Sequence, residues 1–160
     1  MDVTQVTPIT GKIFISGYQA VTKEQLTTHN ITKVLCCTGY DDHSDIHDIA
    51  TVLYVFYEDT EQQQLDEHGD WHLSPVDQVP LPLFSSDKLI DICYQFIQEE
   101  GNVLIQCTSG VSRSVSVVCY YLMKSMNITY DQAIAIVKQH RPQAQPNQGF
   151  VKQLRKFNIS

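Results

Sequence analysis

The chain's 160 residues are 42% hydrophobic and 18% charged, which suits one compact domain with its own core and excludes wholesale disorder. Its net charge of -7 argues against general binding to nucleic acid or anionic membranes, and no apolar run is long enough to span a bilayer. The cysteines, Cys36, Cys37, Cys93, Cys107 and Cys119, are odd in number and follow no apolar leader, so they read as reduced thiols of a cytoplasmic protein.

Met1 to Thr10 is polar, contains Pro8 and reads as a loose lead-in. Lys12 to Ser16 alternates around Ile13, Phe14 and Ile15 as a first strand, which Gly17 turns. Thr22 is an N-cap for a short helix, Lys23 to Thr28, that ends near His29-Asn30. Ile31 to Cys37 is a strand broken by Thr38-Gly39. Tyr40 to Asp48 is acidic and reads as hydrated. His43 and His47 lie four apart in it, but no third ligand accompanies them, so a solvated loop and no metal site are expected. Adjacent Cys36-Cys37 likewise lack the spacing of a zinc site.

Thr51 to Tyr57 is the strongest strand pattern of the chain, followed by Glu58-Asp59-Thr60. Residues 61–84 then form a long connection with three prolines, Asp66, Asp70, Asp77 and the single tryptophan. An extended loop is expected there, with Trp71 pinning it to the domain surface. Ser85-Ser86-Asp87 starts a helix whose apolar face is Leu89, Ile90, Ile92, Cys93, Phe96 and Ile97, closed by Gly101.

The stretch from Val103 to Met123 carries the chemistry. Val103-Leu104-Ile105 is a short buried strand, and Val115, Val117, Val118, Tyr121 and Leu122 keep one helix face in a core. Between them lies Cys107-Thr108-Ser109-Gly110-Val111-Ser112-Arg113. A strand turning tightly into a helix leaves backbone N–H groups unpaired, and these with the helix dipole make an anion site that favours phosphate. Gly110 takes a conformation a side chain would resist, and Arg113 adds a planar cationic fork for two phosphate oxygens. An ordinary thiol titrates at about 8.5; converging N–H groups and a guanidinium favour the thiolate, poised for in-line attack on phosphorus. Ser114 is placed to donate a hydrogen bond to that sulfur and ease its departure. The G-K-[ST] ending of a nucleotide P-loop is absent.

Asn127 ends the long helix. Thr129 and Gln132 form a capping box for Tyr130 to His140, with Ala133, Ile134, Ile136 and Val137 inward. Arg141-Pro142 stops that helix, and Pro146-Asn147 opens a last one striped by Phe150, Val151, Leu154 and Phe157. Alternating strands and helices followed by three helices imply an α/β fold. The expectation is one domain, residues 1–160, with a central, mostly parallel sheet flanked by helices and the phosphate-binding loop between a central strand and a helix.

C-T-S-G-V-S-R-S, with Y-Y-L-M after it, resembles the H-C-x5-R-S loop of the cysteine-dependent protein phosphatases, and within them the small atypical dual-specificity type. A-I-A-I-V-K-Q-H-R-P and P-N-Q-G-F-V-K-Q-L are similar to that family's last two helices, and K-I-F-I-S-G-Y-Q-A and I-T-K-V-L to its first strands. The resemblance implies a protein phosphatase that hydrolyses phosphotyrosine through a phosphocysteine intermediate, with phosphoserine and phosphothreonine left open. Cys107 is then the nucleophile. Thr108, Ser109, Gly110, Val111, Ser112 and Arg113 hold the phosphate, and Ser114 assists breakdown of the intermediate. Asp59 is the general acid, with Asp66, Asp70 or Asp77 as alternatives because the connection over residues 61–84 is longer than the family's. Gln106 stands where the family has His; it can hydrogen bond but carries no charge, so a weaker but active nucleophile is expected.

The same resemblance implies a phosphorylated protein as partner, no cofactor, no nucleic acid, no membrane, a monomer, and a cytoplasmic location with access to the nucleus. Gln106 and the unusual acid-loop region also admit a phosphoprotein-binding module without turnover, against which stands the retention of Cys107, Arg113 and Ser114. Non-protein phosphates rank third, since the loop holds no lysine. Whether Cys36 or Cys37 pairs with Cys107 under oxidation is left to a distance.

Overall fold

The computed structural model describes residues 5–38, 43–55 and 89–157. Five strands form one sheet in the order β1-β2-β5-β3-β4: β1 Thr7–Thr10, β2 Ile13–Ser16, β3 Ile31–Cys36, β4 Thr51–Tyr54 and β5 Asn102–Gln106. β2, β5, β3 and β4 run parallel, and β1 is antiparallel on the edge. The helices are α1 Lys23–Thr28, α2 Leu89–Gln98, α3 Arg113–Met126, α4 Tyr130–His140 and α5 Gln148–Lys156. Two 3-10 turns, Tyr18–Ala20 and Ser44–Ile46, complete the described elements.

The parallel strands read as continuous apolar runs because both faces are covered. On one face α2 to α5 bury Ile15, Leu35, Val103, Ile105, Val115, Cys119, Phe150 and Leu154. On the other, α1 and the second 3-10 turn bury Phe14, Leu26, Val34, Ile46 and Leu104. Phe150 and Leu154, both 0% exposed, each contribute about 1.5–3 kcal/mol by leaving water. Ends are capped locally. The Thr22 hydroxyl accepts from Gln25 N–H at 3.2 Å, and Thr129 and Gln132 form the reciprocal capping box. Asn30 and Asn127, each at φ 55, turn the chain out of α1 and α3. Lys33, buried on β3, donates to Phe96 O at 2.6 Å and Glu99 O at 2.7 Å, satisfying carbonyls at the end of α2. Burial, then the neighbouring Lys12, hold its ammonium below the ordinary lysine range.

Two sequence expectations are corrected. The lead-in is not loose: residues 7–10 pair with β2, Thr7 opposite Ile15 and Pro8 opposite Phe14, with Ile9 buried. Pro8 argues against a central strand, but an edge strand tolerates its missing N–H. Nor is Tyr40 to Asp48 wholly hydrated, because His43 is 3% and Ile46 0% exposed. A 3-10 turn inserts these two side chains while Ser44, Asp45, His47 and Asp48 stay outside. The end of the strongest predicted strand (Phe56, Tyr57), the candidate acids Asp59, Asp66, Asp70 and Asp77, Trp71, the connection over residues 61–84 and the helix start Ser85-Ser86-Asp87 lie outside the described residues.

Candidate active site

β5 is the central strand, with Gln106 at its carboxyl end between Ser16 of β2 and Cys36 of β3. The next residue, Cys107, begins the loop that ends at the start of α3. This is the crevice position at which open α/β sheets bind ligands. The Cys107 N–H still reaches Ser16 O at 3.4 Å, and after that the chain leaves the sheet.

The carbonyls of Thr108 to Ser112 are each held by groups beyond the loop. Thr108 O accepts from Tyr18 N–H at 3.0 Å, and Val111 O from Gln145 N–H at 2.7 Å. Ser109 O accepts from Arg141 Nη2 at 3.2 Å, and Gly110 O from Arg141 Nε at 2.8 Å. Ser112 O accepts from both the N–H and the hydroxyl of Ser116. None of the described peptide bonds is cis, so each following N–H points opposite to the carbonyl before it. Holding the carbonyls of Thr108 to Val111 from behind therefore turns the N–H groups of Ser109 to Ser112 to the other side. Among the described residues nothing accepts from them. Such a row of N–H groups at the start of a 14-residue helix is an anion cradle.

Gly110 makes the curve possible on two counts. Its φ is +70, and a Cβ there would stand 2.6 Å from Arg141 Nη2 and 2.6 Å from the Ser16 carbonyl carbon. Ser112 secures the far end, its hydroxyl accepting from Asn147 N–H at 2.9 Å.

Cys107 is 2% exposed, and its sulfur lies 3.2 Å from the Ser114 hydroxyl, as the sequence led one to expect. Arg113, the first residue of α3, donates from Nη2 to Thr108 Oγ1 at 2.7 Å, which folds its guanidinium back along the loop. Cys107, the loop residues Thr108 to Ser112, Arg113 and Ser114 are thus brought together. Asp59 belongs to the residues not described. The other thiols differ from Cys107 in surroundings: burial pushes Cys93 and Cys119 far above the ordinary range, which leaves them inert small hydrophobes. None of the five cysteines forms a disulfide.

Sequence reasoning missed two contributors. Arg141, expected only as the end of α4, is 0% exposed and clamps the loop, its Nη1 also donating to Thr7 Oγ1 at 2.6 Å. An R-P pair after a helix signals a stop and says nothing of where the guanidinium goes. His43, expected in solvent, lies with Nε2 3.0 Å from Gln106 Oε1 and its ring 5.0 Å from that of Tyr18. Among the described residues no helix is long and apolar enough to cross a membrane, and no cluster of three or more His, Cys, Asp or Glu could hold a metal ion.

The family description "Dual specificity phosphatase, catalytic domain" matches residues 13–160. The chain is 31% identical over 180 aligned positions to a protein of Acanthamoeba polyphaga mimivirus that carries the name of a tyrosine-protein phosphatase, covering 98% of this chain and 85% of that one. It is 48% identical over 78 residues to dual specificity protein phosphatase 1 of Arabidopsis thaliana, covering 46% of this chain and 39% of the plant protein. It spans most of the viral relative but less than half the length of the plant and Dictyostelium discoideum relatives it matches. In fold it is similar to DUSP15, with a TM-score of 0.74 at 22% identity over 97% of this chain and 88% of that one. It is also similar to the Yvh1 phosphatase domain of Chaetomium thermophilum, with a TM-score of 0.72 at 23% identity over 94% of both.

Proposed function

The chain belongs to the dual-specificity phosphatase family and is a protein phosphatase, and from that premise we propose that Cys107 is its nucleophile and that the reaction passes through a phosphocysteine. The observation that carries this is the set of loop carbonyls held from behind, which leaves the N–H groups of Ser109 to Ser112 for a phosphate beside the Cys107 sulfur.

In the first step the Cys107 thiolate attacks phosphorus. The S–P bond forms, the P–O bond to the protein substrate breaks, and the leaving oxygen takes a proton from a carboxylic acid. Asp59 is our assignment for that acid, on its place after the strand that begins at Thr51. The loop N–H groups and Arg113 hold the phosphoryl oxygens as charge shifts in the transition state. In the second step the carboxylate takes a proton from water, the oxygen attacks phosphorus, the S–P bond breaks, and inorganic phosphate leaves. The Ser114 hydroxyl, 3.2 Å from the sulfur, stabilises the departing thiolate. No step needs a cofactor. The substrate is a phosphorylated protein, with phosphotyrosine the residue we assign first. Five cysteines with no disulfide among them support a reducing setting, and we assign the chain to the cytoplasm with access to the nucleus. We assign the chain as one catalytic domain in which residues 61–84 are an insertion or an extended loop, acting as a monomer.

The test is hydrolysis of p-nitrophenyl phosphate and of a phosphotyrosine peptide by the native chain and by Cys107→Ser, with acid quenching to trap labelled phosphate on the enzyme. Turnover and a trapped phosphocysteine are expected only in the native chain. Equal turnover in both overturns the assignment. Binding of the peptide without turnover in the native chain means a phosphoprotein-binding module instead.

A further inference from the structure

The pairing of His43 with Gln106 has no part in the mechanism above. Both side chains are buried, at 3% and 0% exposure. A buried imidazole has lost its water and needs a partner. Here Nε2 lies 3.0 Å from Gln106 Oε1. An amide oxygen only accepts, so the Nε2 of His43 carries the hydrogen, in the neutral ring and the imidazolium alike. The link therefore does not depend on the charge of His43.

Its position gives it consequence. Gln106 is the last residue of β5 and the one before Cys107. Successive side chains of a strand point to opposite faces. Ile105 and Cys107 lie in the larger core, and Leu104 in the smaller one. His43 therefore braces the strand's last residue from the face opposite to Cys107, while Ser114 meets the sulfur on its own face. Gln106 Nε2 has no partner among the described residues, so the bond from His43 fixes this amide. Tyr18 completes the brace: its ring covers His43 at 5.0 Å, and its N–H holds Thr108 O at 3.0 Å. Among the described residues the groups that meet the His43 ring are Tyr18 from the first 3-10 turn and the uncharged Gln106 from β5. Asp45 and His47 on its own turn are exposed.

We infer that His43 is a positioning residue for Cys107. By donating to Gln106 it fixes the exit of β5, and so where the sulfur stands against the first loop N–H groups. An imidazole donor reaches residue 106 from outside the strand. This rests on Cys107 as the nucleophile, and the test separates the two.

The measurement is the rate of Cys107 alkylation by iodoacetamide across pH on the full chain, read by mass spectrometry of the Cys107 peptide, which needs no turnover. His43→Phe keeps a ring against Tyr18 but no donor, whereas His43→Gln keeps a donor. His43→Phe is expected to move the half-point of the profile up by about one pH unit and to lower kcat/KM about ten-fold with KM little changed. His43→Gln should stay close to native. With Gln106→Leu as background, His43→Phe should add nothing. A native profile in His43→Phe, or additive effects of the two substitutions, overturns the inference. Should His43→Phe fail to fold by circular dichroism, the other two variants decide: the inference requires a native profile in His43→Gln and a displaced one in Gln106→Leu. Native turnover in Cys107→Ser sinks the nucleophile assignment instead, while the alkylation profiles still report whether His43 governs the thiol.

Discussion

Arg113 and Arg141 lie on the two sides of one loop, and their surroundings differ in kind. Arg113 is partly exposed at the start of α3 and bonds a hydroxyl, Thr108 Oγ1, within the loop itself. Arg141 is 0% exposed and gives its Nε and Nη2 to two loop carbonyls. A guanidinium taken wholly out of water is stable only where acceptors replace the water, and Ser109 O, Gly110 O and Thr7 Oγ1 do so. The same side chain is thus framework on one side of the loop and, in the proposed function, the phosphate's partner on the other. The framework side has a functional result as well, since the carbonyls it draws backward set the direction of the N–H groups in front.

The largest effect that would sharpen this contrast is on turnover. Arg113→Lys keeps the charge but loses the planar fork, and kcat is expected to fall about 10³-fold while the melting temperature moves little. A kcat within a few-fold of native would break the contrast at its front. Arg141→Met is the converse. It leaves two carbonyls and a hydroxyl without their donor, so stability should fall by about 3–5 kcal/mol and the melting temperature by about 10 °C. Thermal denaturation read by circular dichroism checks it, and an unchanged melting curve would show that the buried guanidinium is not framework.

The smallest effect concerns the helix that Arg141 ends. Tyr130 opens α4, and burial first, then Cys119, push its hydroxyl up to about 12 despite the opposing Arg155. The unfolded chain loses this proton near the ordinary value of about 10, so it binds fewer protons than the folded chain between those values. The stabilisation is therefore complete below about pH 10 and is lost as pH rises toward about 12. Tyr130→Phe should flatten the decline of stability over that window in urea titrations. An unchanged slope would mean that this end of the framework does not feel the hydroxyl.

Much of this molecule was legible in one dimension. Both α4 termini, the Thr22 cap, the apolar run of β5 and the cysteine-to-arginine loop rest on neighbours within four or six residues, and they stand where the pattern put them. The edge strand β1 was not legible, because Pro8 is forbidden in a central strand and tolerated on an edge, and only the sheet order distinguishes the two. The acid, expected at Asp59, falls in the stretch that the described residues do not include.

The sequence by itself determined the residues we assign to the chemistry, because the assigned loop's needs are local: a nucleophile, a glycine at positive φ, a fork and a hydroxyl at fixed spacing along one strand-loop-helix. Tertiary structure alone decided what holds that loop in shape. Arg141 reaches Gly110 across 31 residues, His43 reaches Gln106 across 63, and Arg141 reaches Thr7 across 134. No period or cap encodes such pairings. They follow from which strand lies beside which, and from the cost of leaving a buried polar group without a partner.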